Sequence, residues 1–435
     1  MRENGMRHPA SLSKTFLKAI LFGTTAAVLA QSPARAQQIL FWSTQATPVE
    51  ETKKMREQVL AGFGKPVTYL AQDPGPYSTR IEAELKAGKG TITLLGGLHG
   101  EFAAYVGDFL DLSDVVAKSN GVSEAFVKLG KFGGTQQKYV PWMQASYIMA
   151  ANKQALQYLP AGADINKLTY TQLAEWGKKM REATGSPKLG FPAGPKGLMH
   201  RFFQGYLYPS YTNSAVTKFR SPEAEKMWGD FKTLWAESTP ASANYGFMQE
   251  PLLTGEVWVA WDHTARLADA FNQKPNDFVA FPAPAGPAGR GFMPVVAGLA
   301  IPKTSPGVDE AKALIAYMLK PETQIATLRA TSFFPVIETK LPDDMPPAVK
   351  ISGSAITAQS GSADAKPSTL PVGLGDLNGR YNKVFSDSFQ RIVLRGENIR
   401  QVLDEQGKQV KAIIDEAKAP CWAPDPVGEG VCPVE

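Results

Sequence analysis

The feature that most constrains the fold is the alternation of short apolar runs with amphipathic segments over residues 38–98. "QILFW" reads as a buried strand. After the polar stretch "STQATPVEE" comes "ETKKMREQVLAGF", a helix with Met55, Val59 and Leu60 on one side. "PVTYLAQ" is a second strand, "YSTRIEAELKAGKG" a second helix, and "TITLLGG" a third strand. Strands apolar on both faces and separated by helices require crossover connections, which predicts a parallel α/β sheet. Ligands of such sheets sit beyond the carboxyl ends of the strands. Two strand exits therefore supply the first candidate contacts: Trp42 with Gln45, and His99 with Glu101.

The N-terminus reads as an export signal. Arg2, Arg7, Lys14 and Lys18 precede the twelve-residue apolar stretch Ala19 to Ala30. "ARA" (Ala34 to Ala36) supplies a small-x-small cleavage pattern, so residues 1–36 are expected to be removed and Gln37 to begin the mature chain. Twelve apolar residues fall short of the roughly twenty needed to span a bilayer. The expected location is the periplasm, as a soluble protein.

Charge follows the signal. The chain has 46 Lys and Arg against 41 Asp and Glu, and residues 1–36 hold five of the cations and one of the anions. The remainder, 41 against 40, carries a net +1, which gives no electrostatic case for nucleic acid or an anionic membrane. Cys421 and Cys432 are the only cysteines. An even pair in an oxidising compartment predicts a disulfide, worth roughly 3 kcal/mol for so short a loop. It would pin the Pro- and Gly-rich tail "CWAPDPVGEGVC". The 399 residues left after processing are enough for two or three domains. The one loose stretch is Ile351 to Pro371, rich in Ser, Ala and Gly, and it reads as a loop or crossover.

Further along, "LTYTQLAEWGKKMREATG" carries a capping box, Thr169 with Gln172, and a buried stripe of Leu173, Trp176 and Met180 ending at Gly185. Ser221-Pro222 starts another helix. Residues 252–335 then hold four parts in order. They are "LLTGEVWVAW", a proline-rich strand exit "VAFPAPAGPAG", the strand "FMPVVAGLAIPKTS", and the helix "DEAKALIAYMLKPETQ" followed by "SFFPVIE". Two more helices, "NGRYNKVFSDSFQRIVLRG" and "NIRQVLDEQGKQVKAIIDEA", end the chain.

This order resembles family 1 of the bacterial extracellular solute-binding proteins, the ligand-capturing subunits of ABC importers. The segment "GGTQQKYVPWMQASYIMAANKQAL" resembles the family's Gly-Lys-x-Tyr-x-x-Pro strand and its Tyr-Asn-Lys-Asp; here the tetrad is Ala151-Asn152-Lys153-Gln154, without the Tyr and Asp. The resemblance implies a two-lobed periplasmic binding protein of the type II fold with discontinuous α/β lobes joined by a hinge. The implied lobes are residues 37–147 with 297–350, and 148–296 with 351–435. It further implies a monomer without cofactor that captures a small molecule, binds rather than catalyses, and serves a membrane permease.

A carbohydrate is the expected ligand, because the strand exits pair aromatic rings with amides, carboxylates and cations, the groups that meet C–H faces and hydroxyls. Besides the four residues above, the candidates are Trp142 and Gln144 after Pro141, then Trp261, Asp262, His263 and Arg266 after "GEVWVAW". Phe292 and Phe334 complete the set, and His200-Arg201 and Tyr381 are weaker additions. Glycerol phosphate, a polyamine or a metal fit the same fold. A secreted carbohydrate-active enzyme, with Glu101 and Asp262 as its carboxylate pair, is the remaining alternative. No H-E-x-x-H, G-x-S-x-G or Walker loop supports catalysis.

Overall fold

The structure, a computed structural model, describes residues 38–46, 49–119, 121–122, 124–426 and 430–435. The expected export segment lies outside the described residues. The strands, in chain order, are β1 (Ile39–Ser43), β2 (Val67–Ala71), β3 (Leu94–Leu98), β4 (Val140–Ala145), β5 (Tyr147–Asn152) and β6 (Leu189–Gly190). They continue as β7 (Val259–His263), β8 (Phe278–Phe281), β9 (Arg290–Phe292), β10 (Val295–Ala300), β11 (Phe334–Pro335) and β12 (Ala365–Pro367).

The alternating segments at the start form the parallel part of a six-stranded sheet, ordered β11-β4-β10-β3-β1-β2. β1 lies between β2 and β3, with Ile39 opposite Val67 and Phe41 opposite Leu94. The antiparallel strands β10 and β4 extend this sheet, with Gly298 opposite Pro141. A second sheet, β6-β7-β5-β8, is built from residues 147–281. The fold is thus the two-lobed α/β arrangement. Its first crossing is the step from β4 to β5 through Ser146. The second runs from β9 to β10 through Met293 and Pro294, and the third follows β11.

Local chemistry accounts for most helix limits. Thr169 and Gln172 close the reciprocal capping box and Gly185 takes the left-handed conformation at φ 75°. The Ser221 hydroxyl accepts from the Ala224 N–H, and Pro222 begins that helix. Two expectations are corrected. The segment after β10 is not one helix but two, Val308–Met318 and Pro321–Thr331, because Pro321 lacks the N–H a continuous helix needs and fits a first turn instead. The stretch read as a loop, Ile351 to Pro371, contains most of a helix, Pro347–Ser360. Its buried residues are Ala348, Val349, Ser352, Ala355 and Gln359, with Val349 the one large apolar side chain among small or polar ones, so the hydrophobic signal is weak. Asn272 Oδ1 accepts from the Ala348 N–H and Gln359 Oε1 from the Ala283 N–H, which docks this helix on the second sheet. The lobe boundary expected at residue 350 therefore falls inside a helix.

The tail is pinned as its composition suggested. Cys421 and Cys432 are joined, and Trp422 packs edge-on against Tyr381. Between the two cysteines, the buried Asp425 carboxylate accepts from the Ser214 hydroxyl at 2.6 Å, from the N–H groups of Ala215, Val216 and Thr217, and from the Thr217 hydroxyl. Removing it strands three backbone donors, so Asp425→Ala is expected to lower unfolding stability by about 3 kcal/mol. Urea denaturation of the full chain measures this, and a loss below about 1 kcal/mol would show that the tail is not anchored through this residue.

Candidate functional site

The exits of β1 and β3 converge on one carboxylate. The Thr44 hydroxyl donates to Glu101 Oε2 at 2.6 Å, and the Leu98 N–H donates to the same oxygen at 2.7 Å. Gln45 Nε2 donates to Thr44 Oγ1, and the Gln45 carbonyl accepts from the Tyr69 hydroxyl. Burial pushes the Glu101 carboxyl up; these two hydrogen bonds and the charge of Arg201 pull it back.

Arg201 belongs to the second lobe, on the short helix Met199–Phe202. Its Nη1 donates to Gln204 Oε1 at 3.0 Å, and Gln204 in turn donates to Asn382 Oδ1 at 2.9 Å. Burial lowers the Arg201 pKa, and Tyr147, Tyr381 and Glu101 oppose that shift. Glu101 and Arg201 thus attract one another across the lobe boundary, although no direct ion pair joins them among the described residues. Arg201 also acts on Tyr147 and His200, and Arg266 on Tyr147, His200 and His263. Burial holds the Tyr147 hydroxyl above its usual range, and the two arginines oppose it. His200 is kept well below the usual histidine range by burial and then by the same arginines. His263 is lowered to about 3 by burial and Arg266.

Strand β7 runs through Trp261, Asp262 and His263 instead of ending before them, which changes their roles. Trp261 is fully buried, stacked at 4.8 Å under Tyr147 and edge-on to Phe202 and Tyr206. The Asp262 oxygens accept from the N–H groups of Met248 (2.9 Å) and His263 (2.7 Å). This carboxylate orders the strand end. His263 caps the helix Thr264–Gln273 by accepting from the Ala265 N–H, and its ring lies between Tyr147 and Phe333. Arg266 donates to the carbonyls of Lys196 and Gly246.

Three further candidates lie buried in the packed interior. Trp42 lies under the Arg80 guanidinium and donates to the Tyr77 carbonyl, inside the first lobe. Trp142 is fully buried against Phe41. His99 stacks on Phe132 at 4.7 Å and bonds the Tyr139 hydroxyl at 2.9 Å, holding the segment after Gly130 to the sheet. A strand tryptophan can face the core or the cleft, and the sequence alone does not separate the two.

The rest line a different space. Gln144, Phe292 and Phe334 face a cavity of about 700 Å³ shared with Ser146, Thr357 and Gln359. All three crossings contribute to its wall. Tyr147 is turned away from it, against Trp261, Tyr206 and His263. The sequence candidates thus divide among the core, this cavity and the Glu101–Arg201 cleft. Thr44 and Gln204, which bond Glu101 and Arg201, and Tyr147, on which Arg201 acts, are not among those candidates. The polar step Ser43-Thr44-Gln45 straight after an apolar strand is the available signal for Thr44.

The family model of the bacterial extracellular solute-binding proteins matches residues 47–325. No curated protein sequence matches the chain. Among solved structures, the sugar-binding protein MalE of Xanthomonas citri is similar at 15% identity and TM-score 0.70, covering 87% of this chain and 98% of that one. UgpB of Mycobacterium tuberculosis, in complex with glycerophosphocholine, aligns at 19% identity and TM-score 0.67 with the same coverage of each chain, 87% and 98%. The GacH receptor of Streptomyces glaucescens, solved unliganded and with acarbose, aligns at 17% identity and TM-score 0.66, again over 87% and 98%. No described helix is long and apolar enough to cross a membrane.

Burial lowers the His99 pKa to about 4. Between about pH 4 and 6.5 the unfolded chain therefore binds a proton at this residue that the folded chain does not, and His99 makes stability rise with pH over that window. Glutamine keeps a partner for Tyr139 but cannot titrate. The stability of wild type relative to His99→Gln is expected to fall as pH drops from 7 to 4.5, read as the difference between their urea midpoints. A constant difference would mean that His99 is not buried in its neutral form.

Proposed function

Because the chain belongs to the bacterial extracellular solute-binding proteins, we propose that it captures a carbohydrate between its lobes in the periplasm and delivers it to the permease of an ABC importer. What supports this reading is a carboxylate held at the exits of β1 and β3, Glu101, and a guanidinium held on the second lobe, Arg201, whose charges act on one another. A carboxylate only accepts hydrogen bonds and a guanidinium only donates them, whereas hydroxyls do both. A polyol therefore satisfies both sides without bringing net charge. A polyamine would leave Arg201 facing a like charge, and a phosphate ester would do the same to Glu101. Tyr147, stacked on Trp261 and buried in this structure, is the ring proposed to meet the C–H face of a sugar on opening. Gln45, His263 and Arg266 remain proposed contacts beside Thr44, Glu101, Tyr147 and Arg201. No group of three or more His, Cys, Asp or Glu suited to a metal occurs among the described residues. The protein is read as a monomeric binder without cofactor or turnover.

Calorimetry against mono- and oligosaccharides is expected to find a ligand near micromolar, about 8 kcal/mol. Glu101→Ala and Arg201→Ala should each weaken it about ten- to a hundredfold. Binding of a phosphodiester such as glycerophosphocholine, or of a polyamine, with every sugar silent, would overturn the carbohydrate assignment. Hydrolysis of a glycoside would replace it with the enzyme reading.

Only a closed arrangement lets one ligand touch Glu101 and Arg201 together, so occupancy and closure are coupled. Hinge closure around a ligand is the general behaviour of periplasmic binding proteins as a class. The radius of gyration from small-angle scattering should decrease on saturation with the sugar found above. An unchanged value in a sample shown to be saturated would mean that closure does not signal occupancy.

A further inference from the structure

We propose that segment 368–377 of the second lobe is a strap that meets the first lobe at Gly100, and that this contact sets how closely Glu101 and Arg201 approach when the lobes close. The inference rests on the reading of lobe closure around a ligand and adds the stop at which closure ends. Gly100 lies on the short helix His99–Phe102, between His99 and Glu101. It is not among the glycines at positive φ, so its backbone is one that any residue adopts. Within a helix, alanine is ordinarily preferred to glycine. What excludes a side chain here is the strap. A Cβ on Gly100 would stand 2.3 Å from the Pro371 carbonyl oxygen and 3.7 Å from Leu370 Cβ. The nearer atom belongs to the backbone, so no rotamer change relieves the clash.

The strap is fixed to the second lobe along its length. The Ser368 N–H donates to the Phe292 carbonyl at 2.8 Å and its hydroxyl to the Gln204 carbonyl at 3.0 Å. The Thr369 N–H donates to the Ala423 carbonyl at 3.1 Å. Leu370 and Leu374 are buried in the core of that lobe. Gly373 turns the strap at φ 76° beside Ala419 and Pro420, next to the disulfide at Cys421. Further along, Asp376 acts on Tyr105 of the first lobe, after the larger effects of burial and Glu82.

Both ends of this contact lead to the charged groups. Gln204, whose carbonyl holds Ser368, is the residue that accepts from Arg201. Gly100 adjoins Glu101. The strap is thus tied to the backbone beside the cation and stops against the residue beside the carboxylate. Ordinary van der Waals contact begins at 3.4 Å, so a methyl group at residue 100 has to part the two backbones by about 1 Å. Glu101 and Arg201 are then held apart by a similar amount. An open arrangement lacks the contact and is indifferent to the methyl group.

The test is calorimetry and stopped-flow binding of wild type, Gly100→Ala, Gly100→Leu and the control Gly107→Ala. Gly107 is a nearby glycine of the first lobe with nothing within 4 Å of a Cβ. The probes are glucose-, xylose- and galactose-based oligosaccharides of one to six units, glycerophosphocholine and spermidine. For whichever probe wild type binds, Gly100→Ala should lose about tenfold in affinity and Gly100→Leu about a hundredfold, with Gly107→Ala matching wild type. The loss should fall on the dissociation rate, because the contact exists only after closure. Urea midpoints without ligand should not drop below wild type; a drop in both Gly100 variants with dissociation unchanged assigns Gly100 to folding and overturns the strap. Equal affinities across the four proteins, or an equal loss in Gly107→Ala, also overturn it and leave the capture reading standing. Absence of binding of every probe by wild type overturns both.

Discussion

The arrangement depends on a buried polar knot where the chain passes from one sheet to the other. The Ser146 hydroxyl lies within hydrogen-bond reach of the Met293 carbonyl at 3.1 Å and the Tyr206 hydroxyl at 3.3 Å, and Gln359 Nε2 donates to it at 3.2 Å. Tyr206 also bonds both backbone groups of Tyr147, and Gln359 reaches the Tyr147 carbonyl. A two-sheet chain must carry backbone polar groups through an apolar interior at each crossing, and each such group left unpaired costs about 1–3 kcal/mol. Here three side chains from separate segments meet that demand together. They also bring residue 293 of the second crossing and the helix after the third to the first. The crossings are thereby fixed to one another before any ligand is considered.

Tyr147 follows from that constraint. It is the residue after Ser146, with its backbone clamped by Tyr206 and Gln359 and its ring laid on Trp261. The aromatic layer beneath it, Trp261 with Phe202 and Tyr206, is packed edge to face and leaves the tyrosine little freedom. The deeper tryptophan therefore acts on the cleft through the tyrosine it supports. Arg201 is placed by the same packing, since it precedes Phe202 on one short helix. Trp261 and Tyr147 are consecutive layers of one stack, so a substitution such as Trp261→Ala removes the support of the tyrosine ring.

Much of the fold was legible because its signals are local. The strand–helix alternation, the Thr169–Gln172 box, the Ser221-Pro222 start and the Gly185 stop each act over a few residues, and each lies where the sequence put it. The helix Pro347–Ser360 was not legible because its buried face carries one large apolar residue, Val349, among alanine, serine and glutamine. The site was less legible for a related reason. Trp42, Trp142 and Trp261 have the composition of sugar platforms, but alternation along a strand sends neighbouring side chains to opposite faces, and only tertiary packing decides which face is the cleft. Glu101 was singled out as a carboxylate in a glycine-rich strand exit, and there it bonds the Leu98 N–H and the Thr44 hydroxyl. Arg201 was a weaker addition, since the Glu101 charge that acts on it lies 100 residues earlier in the chain.

The pairing of Glu101 with Arg201 also bears on how a binding protein avoids staying shut. Two opposite charges in direct contact would hold the lobes together without ligand, and the closed state would then carry no information about occupancy. Here each charge is instead moderated by its own lobe: Glu101 by Thr44 and the Leu98 N–H, Arg201 by Gln204. The remaining attraction acts without an ion-pair contact, in a setting where burial penalises both charged forms. Closure without ligand then sets a Coulomb attraction against the lost solvation of both groups. A ligand that supplies acceptors to the guanidinium and donors to the carboxylate removes the solvation loss. Its contribution is therefore concentrated in the closed state, which is the differential affinity a population shift requires.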